Sequence, residues 1–429
     1  MKTQNQLQEH TRSYYAATAN VRTDFPVLNG ERSVDVCIVG AGFTGVATAL
    51  TLAERGYSVA VVEANRVGWG ASGRNGGQVI NDVGGLSKIE KRHGSAVSDL
   101  VWEMRWRGNT IIRERVEKYG IDCDLKDGFV EVARKPSQVR YIEEAAEERA
   151  KRNFPYRYET WDRAKTREKL GTDAFHGAFA SFRDGHVHPL NLCLGEAKAA
   201  ESLGVQFFEQ SPVTGITHGK RPTVQTASGS VTADSVLIAG NAYSRLEPKH
   251  LSNLVFPAGS YIIATEPLPE ELARSINEED VAVCDLNEIV DYYRLSADRR
   301  LLYGGACNYS GRDPADITSY IRPRMLKVYP GLKDVRIEYE WGGKIGIVLN
   351  RAVTVGRINS NVFYCQGYSG HGVTGTHLMG EIMADAMSGT MERFDLFSEI
   401  SHFRIPGSHW LGNQIIALGM LYYKLKDRL

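Results

Sequence analysis

Apolar and polar positions first fall into a regular pattern in SVDVCIVGAGFTGVATALTLAERGYSVAVVE, residues 33–63. Val36 to Val39 form the unbroken apolar run of a parallel strand covered on both faces. The alanine-rich stretch after Thr44 reads as a helix, and Tyr57 to Val62 as a second strand. The order strand, helix, strand predicts a βαβ unit. Residues 88–170, with WEMRWRGNTIIRERVEKYG and YIEEAAEERAKR, predict charged amphipathic helices with solvated faces. RDGHVHPLNLCLGEAKAAESLGVQFFEQSPVTGI predicts a turn, a helix and a strand, and TVQTASGSVTADSVLIAGNAY a hairpin and a buried strand ending in glycine. From 255 to 340, segments such as SYIIATEP, DYYRLSAD and RRLLYGGA alternate with polar turns, as antiparallel strands do. NVFYCQGYSGHGVTGTHLMGEIMADAMSG predicts a last strand, a glycine-rich turn and an apolar helix.

This order predicts an α/β protein of two lobes that interleave in sequence, since no linker or repeat separates them. A Rossmann-like nucleotide-binding domain is expected from 32–85, 184–243 and 344–400. A smaller α+β substrate domain with a mainly antiparallel sheet is expected from 86–183 and 244–343, with 1–31 as an N-terminal arm and 401–429 as a C-terminal tail. A chain of 429 residues is long enough to bury two cores.

Gly40, Gly42 and Gly45 form GxGxxG at the first strand-to-helix turn. The first permits the turn, the second admits a pyrophosphate, and the third lets helix and strand pack closely. Glu63 ends the second strand, where its carboxylate can take ribose hydroxyls; an arginine there would point to a 2′-phosphate. A dehydrogenase using NAD would continue with another βαβ unit, whereas this chain enters GWGASGRNGG at 68–77. Such a loop suits a backbone running along a ribityl chain and under a flavin ring. The second glycine turn, GYSGHGVTG at 367–375, precedes an apolar helix whose free N–H groups can meet flavin carbonyls or negative charge at N1/O2. Two such approaches favour FAD over NAD.

Lys plus Arg and Asp plus Glu both number 51, which gives no electrostatic reason for a nucleic-acid partner. The cysteines at 37, 123, 193, 284, 307 and 365 show no close metal-ligand spacing and predict unpaired thiols and no metal site. The N-terminus is polar, no run approaches the ~18 apolar residues of a membrane span, and a cytoplasmic protein is expected. The amphipathic C-terminal LGNQIIALGMLYYKLKDRL is expected to pack on its own fold rather than on a membrane.

VGAGFTG, GASGRNGG, SPVTGI, IAGNAY and GYSGHG occur in the order seen in the D-amino acid oxidase superfamily of FAD enzymes, and the chain resembles its branch with sarcosine and glycine oxidases. SYYAATAN, GASGRNGGQ, DGHVHPLNL, DYYRLSADRRLLYGG and QGYSGHGVT further resemble the γ-glutamylputrescine oxidases of bacterial polyamine breakdown, from about Ser13 to the C-terminus. The resemblance implies FAD contacts from Gly40, Gly42, Phe43, Thr44 and Gly45, from Glu63 and Ala64, and from Gly70, Ala71, Ser72, Arg74, Asn75, Gly76 and Gly77. Val213 and Gly240 join them, with Gly367, Tyr368, Gly370, His371, Gly372, Val373 and Thr374. It implies oxidative deamination of a γ-glutamylated polyamine to an aldehyde, ammonia and, if oxygen is the acceptor, hydrogen peroxide. The alternative is a dehydrogenase of a secondary or D-amino acid that passes electrons to a quinone or carrier.

Departures from the sarcosine-type pattern refine this. Gln78 to Asp82 and Val373 to Thr376 hold no arginine or lysine where a small amino acid's carboxylate would be bound, and an unpaired buried carboxylate is costly. The oxidised carbon is therefore expected to lie far from any carboxylate. EYEWGGKIGIV lacks the cysteine that tethers flavin in sarcosine oxidases, so non-covalent FAD is expected. LLYGGA lacks the lysine expected for oxygen activation, with Lys344 as a substitute or a solvated residue. Catalytic candidates are His371, Trp341 and Tyr293, with Tyr292 and Tyr368 as further aromatic groups able to disfavour the substrate ammonium. The competing readings are a structural hydrogen bond within the turn for His371 and core packing for the aromatics. Arg74 is expected to support flavin or loop geometry, and His186 and His188 to form a turn pair. The oligomeric state stays open.

Overall fold

The computed structural model describes residues 8–405 and 412–418. Two sheets organise the chain. The eight-stranded sheet runs in the order Thr354–Arg357, Val362–Gln366, Gly229–Ile238, Gly30–Val39, Val59–Val62, Gln206–Phe208, with the hairpin Gly215–Thr217 and Thr223–Gln225 beside Gly229–Ile238. Its central pairings are parallel, with Val39 opposite both Ile238 and Val62. Along Gly30–Val39, Val36 and Ile38 pack into the helical layer while Cys37 and Val39 enter the core on the other face. Burial on both faces is why this strand reads as a continuous apolar run. The helical layer consists of Phe43–Glu54, Ser98–Tyr119, Pro189–Ser202 and Val373–Met387.

The nine-stranded sheet runs Ile337–Ile347, Phe256–Thr265, Leu301–Asn308, Asp291–Leu295, Ala282–Asp285, Lys126–Val132, Ala178–His186, Gln78–Val79, with Tyr158–Trp161 beside Ala178–His186. It is mainly antiparallel, as its alternating pattern predicts, with Ala282–Asp285 parallel to Lys126–Val132. Its outer face carries Val130, Val132, Val283, Tyr293, Leu301 and Tyr303 into a core closed by Ile321 and Met325 of the helix Ile317–Val328. Its inner face sends Ile262, Ala264, Leu302 and Trp341 into the core of the nucleotide lobe.

Three details depart from the sequence pattern. The stretch 88–170 contains the helices Ser98–Tyr119, Val139–Lys151 and Arg163–Leu170 but also the strands Lys126–Val132 and Tyr158–Trp161. Arg183 to His186, expected in a turn, end the strand Ala178–His186, because Gly185 sits where any Cβ would lie 2.0 Å from Lys126 O. Gln78–Val79 and the whole of Ile337–Ile347 belong to the nine-stranded sheet. Asn413 and Ile416 of the tail are buried, Ile416 in a cluster with Phe256, whereas residues 419–429 lie outside the described residues. Among the described residues no helix is long and apolar enough to cross a membrane.

Candidate cofactor and active site

A cavity of about 620 Å³ opens where the first strand-to-helix turn, the loop after Glu63, the Gly240 turn and the second glycine turn converge. That volume lies within the roughly 300–1,000 Å³ of small-molecule sites. Gly40, Gly42, Phe43 and Thr44 line it, so the N-terminus of the helix Phe43–Glu54 faces its interior and offers an anion its positive end. Gly40 has φ +108°, and a Cβ there would come within 3.1 Å of the Ala239 backbone. Gly45 does not line the cavity. Its missing Cβ would lie 1.9 Å from Gly40 O, which makes it the glycine that lets helix and strand touch.

Glu63 lines the cavity at the end of its strand. Its Oε2 accepts from Ala41 N–H and its Oε1 from Asn65 N–H, each at 2.8 Å. Burial pushes its pKa up, against those N–H groups that favour the carboxylate. The side chain is thus fixed with acceptor capacity left for hydroxyl donors. Ala64, Gly70, Ala71, Ser72 and Asn75 continue the wall. Ser72 Oγ accepts from Phe43 N–H at 2.9 Å and ties this loop to the helix N-terminus.

Val213, Gly240, Tyr368, Gly370, Gly372 and Val373 complete the predicted residues that the cavity gathers. Tyr368 OH lies 2.7 Å from Thr44 Oγ1 and 3.1 Å from Cys365 Sγ, joining the two glycine turns beneath the cavity floor. The second turn is set by Ser369, whose N–H donates to Gly346 O at 2.8 Å and whose Oγ accepts from Val348 N–H at 3.1 Å.

Other predicted residues lie outside the lining, each for a visible reason. Gly76 leaves room for the Tyr292 ring, 2.7 Å from where its Cβ would be, and Gly77 (φ +75°) for Val187 O at 2.1 Å. Gly367 (φ +83°) abuts Val348, and Thr374 Oγ1 donates to Ile80 O at 2.5 Å. Arg74 supports the loop: its Nε donates to Trp69 O at 2.8 Å, its guanidinium lies 4.3 Å from the Trp69 ring centroid, and burial pulls its pKa down. His371 is exposed beside Gly370 and Gly372, and its backbone N–H donates to Tyr368 O at 3.0 Å.

The aromatic candidates separate by sheet face. Tyr293 points to the outer core, stacked on Tyr303 with its hydroxyl accepting from Tyr329 OH at 2.8 Å, and is corrected from catalytic candidate to core residue. Its neighbour Tyr292 points inward, over Gly76 and Gly304, with its OH 3.2 Å from Ser260 Oγ. Trp341 is also inward but sits one layer behind the cavity, donating from Nε1 to Arg74 O at 3.0 Å. Lys344 pairs with Asp313, which also accepts from Tyr261 OH of the outer core. His186 donates through Nε2 to Asp280 O at 2.8 Å, while His188 Nδ1 accepts from Asn191 N–H and caps Pro189–Ser202. Among the described residues no cluster of His, Cys, Asp or Glu fits a metal, and all six cysteines are free.

The lining also includes Asn65, Trp69, Tyr243 and Arg245, which motif reasoning passed over. Trp69 lies inside GWGASGRNGG and Tyr243 inside IAGNAY, and their rings meet edge to face at 5.1 Å. Their signal in the sequence is their place inside two glycine-bearing motifs. Arg245 brings a cation to the side of the cavity that holds Val213 and Gly240.

The family described as FAD dependent oxidoreductase matches residues 35–386. The γ-glutamylputrescine oxidoreductase of Escherichia coli (strain K12) is 44% identical over 426 residues, covering 99% of this chain and 100% of that protein. A probable oxidoreductase, OrdL, of Haemophilus influenzae is 40% identical over 428 residues, 98% of each chain. The solved glycine oxidase of Geobacillus kaustophilus superposes with a TM-score of 0.71 at 22% identity, covering 86% of this chain and 100% of that one, a likeness of fold. With a cavity of this shape and a matched segment that contains both glycine turns, the chain belongs to the FAD dependent oxidoreductase family, and FAD is its cofactor.

Proposed function

We propose that FAD is held non-covalently in the cavity between Glu63 and the second glycine turn, and that the chain oxidises the terminal amine of a γ-glutamylated polyamine. FAD, when bound, takes the hydride from the carbon that bears the amine. The chain's own residues do the rest. Glu63 fixes the ribose end, the N-terminus of Phe43–Glu54 faces the phosphates, and the N-terminus of Val373–Met387 faces the flavin end. Among the described residues no cysteine lines the cavity, which supports a non-covalent flavin.

The observation that carries the substrate is the 44% identity over the full chain with the γ-glutamylputrescine oxidoreductase. The chain's own groups support it. Gln78 Nε2 donates to Val283 O, Thr374 to Ile80 O and Thr376 to Val373 O, so the positions beside the flavin loops are committed to the backbone and supply no cation. Inward-facing Arg294 donates to the carbonyls of Gly76, Leu295 and Val187. A carboxylate next to the reacting carbon would find no cation at Gln78, Thr374 or Thr376, and the Nε, Nη1 and Nη2 donors of the Arg294 cation are already engaged by carbonyls; an amine whose carboxylate sits at its far end avoids the cost of a poorly paired buried carboxylate. Tyr292 gives the amine an aromatic wall that disfavours its ammonium form and exposes the neutral amine the reaction needs. The imine product adds water to give the aldehyde and ammonia, and the two electrons leave to oxygen, as hydrogen peroxide, or to a carrier. The pairing of Lys344 with Asp313 favours a carrier, because it removes the one lysine proposed for oxygen activation.

Anaerobic mixing of the holoenzyme with γ-glutamylputrescine, then admission of air, tests both points. Bleaching of the oxidised flavin band supports the substrate; recovery in air with peroxide release identifies oxygen as acceptor, and bleaching without recovery a carrier. No bleaching with γ-glutamylputrescine, while sarcosine or a D-amino acid does bleach the flavin, refutes the substrate.

A further inference from the structure

Beneath the cavity, one buried cluster joins all four helices of the layer. Arg115, Glu196 and His377 are 5%, 0% and 0% exposed and sit on Ser98–Tyr119, Pro189–Ser202 and Val373–Met387. Arg115 Nη1 donates to Glu196 Oε1 at 2.9 Å, and its Nη2 reaches Ala47 O and Thr51 Oγ1 on Phe43–Glu54. His377 Nε2 lies 3.1 Å from Glu196 Oε2, and its Nδ1 lies 2.5 Å from Val373 O. The nearby Thr376 hydroxyl gives its hydrogen to that same carbonyl, so it has none to offer Nδ1.

The hydrogen count is then fixed. Nδ1 faces a carbonyl and must carry a hydrogen. Nε2 faces a carboxyl oxygen, so either Nε2 also carries one or the carboxyl does. Both arrangements hold the same extra proton and, with the guanidinium, the same total charge. Burial alone would push Glu196 toward its neutral form, yet His377 and Arg115 hold its pKa below the ordinary value.

We propose that Arg115, Glu196 and His377 together bear one net positive charge, and that this charge, one turn inside the helix whose first residue Val373 lines the cavity, raises the reduction potential of the bound flavin. A fixed positive charge near the pyrimidine side of a flavin stabilises the negative charge that reduction creates. The cluster also sets direction. Through Nδ1 and the Thr376 hydroxyl it grips the Val373 carbonyl, and through Arg115 it grips the helix that begins at Gly42, so the two helix N-termini that open on the cavity share one anchor. These are positioning residues, since none touches the cavity. The inference rests on the reading of the cavity as the FAD site.

Substitutions separate charge from packing. H377L and R115Q remove the net charge, whereas E196Q and R115K keep it: with E196Q the glutamine amide donates to a neutral imidazole and its oxygen still accepts from Arg115. Sulfite, which adds to oxidised flavin and binds more tightly beside positive charge, and the flavin midpoint potential are measured on each holoenzyme. The sulfite dissociation constant should rise about tenfold in H377L and R115Q, the scale of one unit charge in a partly buried site. Their potentials should fall, while E196Q and R115K stay within about twofold of the parent in sulfite affinity. Should either charge-removing variant not fold, H377N and R115M remove the same charge. Equal shifts in all four variants, or no shift in any, overturn the proposal. V213W, which fills the cavity, reports separately: retention of FAD there refutes the cavity as its site, whatever the charge contrast shows.

Discussion

Gly45→Ala tests the packing argument at its tightest point. A methyl at Gly45 would lie 1.9 Å from Gly40 O and 3.2 Å from Ile38 Cγ2, against the 3.4 Å at which ordinary contact begins. The helix Phe43–Glu54 must therefore retreat about 1.5 Å from the strand Gly30–Val39, since Gly40 is itself held against the Ala239 backbone. Overpacking costs typically ~1–3 kcal/mol, and with backbone on both sides no rotamer relieves it, so the upper end applies. Alanine returns up to ~1 kcal/mol of helix propensity, leaving about 2 kcal/mol. For a protein of 429 residues that corresponds to a Tm fall of about 2 °C. The same retreat moves the Phe43 N–H away from Ser72 and distorts the mouth of the cavity. Thermal unfolding followed by circular dichroism, with FAD retained per chain, should show both losses in G45A. G331A, where nothing lies within 4 Å, should show neither. A G45A protein with Tm within about 1 °C of the parent and full FAD content would refute the reasoning.

Three further outcomes follow from the same geometry. Tyr293→Phe removes the hydroxyl paired with Tyr329 OH, which keeps Leu170 O and Ile276 O as acceptors, so stability to urea should fall by no more than about 1 kcal/mol with kcat/KM of the holoenzyme unchanged; a large loss of kcat/KM would return Tyr293 to the active site. Burial, aided by Arg294, holds His188 near a pKa of about 3, below the ordinary 6.5, and so keeps Nδ1 unprotonated to cap Pro189–Ser202. The stability this provides is complete above about pH 6.5 and is lost as pH falls toward 3. The parent's Tm should therefore drop more steeply on acidification than that of H188N, and equal slopes would count against the cap. Lys344→Met should leave the reoxidation rate of the reduced holoenzyme by oxygen within about twofold of the parent, because the ammonium is spent on Asp313; a large fall in that rate would restore Lys344 to the flavin.

The nucleotide lobe was legible because its physics is local. A strand buried on both faces must be apolar throughout, and Val36 to Val39 are so. An acid at a strand end keeps its place relative to the first turn, and Glu63 meets Ala41 N–H there. The substrate side was less legible because adjacent residues of a strand face opposite ways, and only tertiary packing says which way is inward. In DYYRLSAD nothing local separates Tyr292 from Tyr293. The helix Ile317–Val328 takes the Tyr293 face, and Tyr292 is left to face Gly76. Distance along the chain hid the buried cluster as well: Arg115 lies in a stretch so rich in charge that a solvated face was the natural reading, and its partners are 64 residues away or more.

Glycines carry a second lesson about what a loop such as GWGASGRNGG encodes. Gly70 faces the cavity, but Gly73, Gly76 and Gly77 are excluded from bearing a Cβ by Gly68 O, the Tyr292 ring and Val187 O. Most of the glycine content therefore serves contact between chain and chain, not between chain and cofactor. That arrangement puts the loop between the helix N-terminus on one side, through Ser72, and Arg294 on the other, through Gly76 O. Arg294 in turn holds Val187 O, two residues from the start of Pro189–Ser202, the helix that carries Glu196. The loop GWGASGRNGG and the charged cluster beneath the cavity are thus anchored to the same helix. A substitution that loosens Pro189–Ser202 should disturb flavin position and flavin potential together, whereas H377L should change the potential and leave the loop in place.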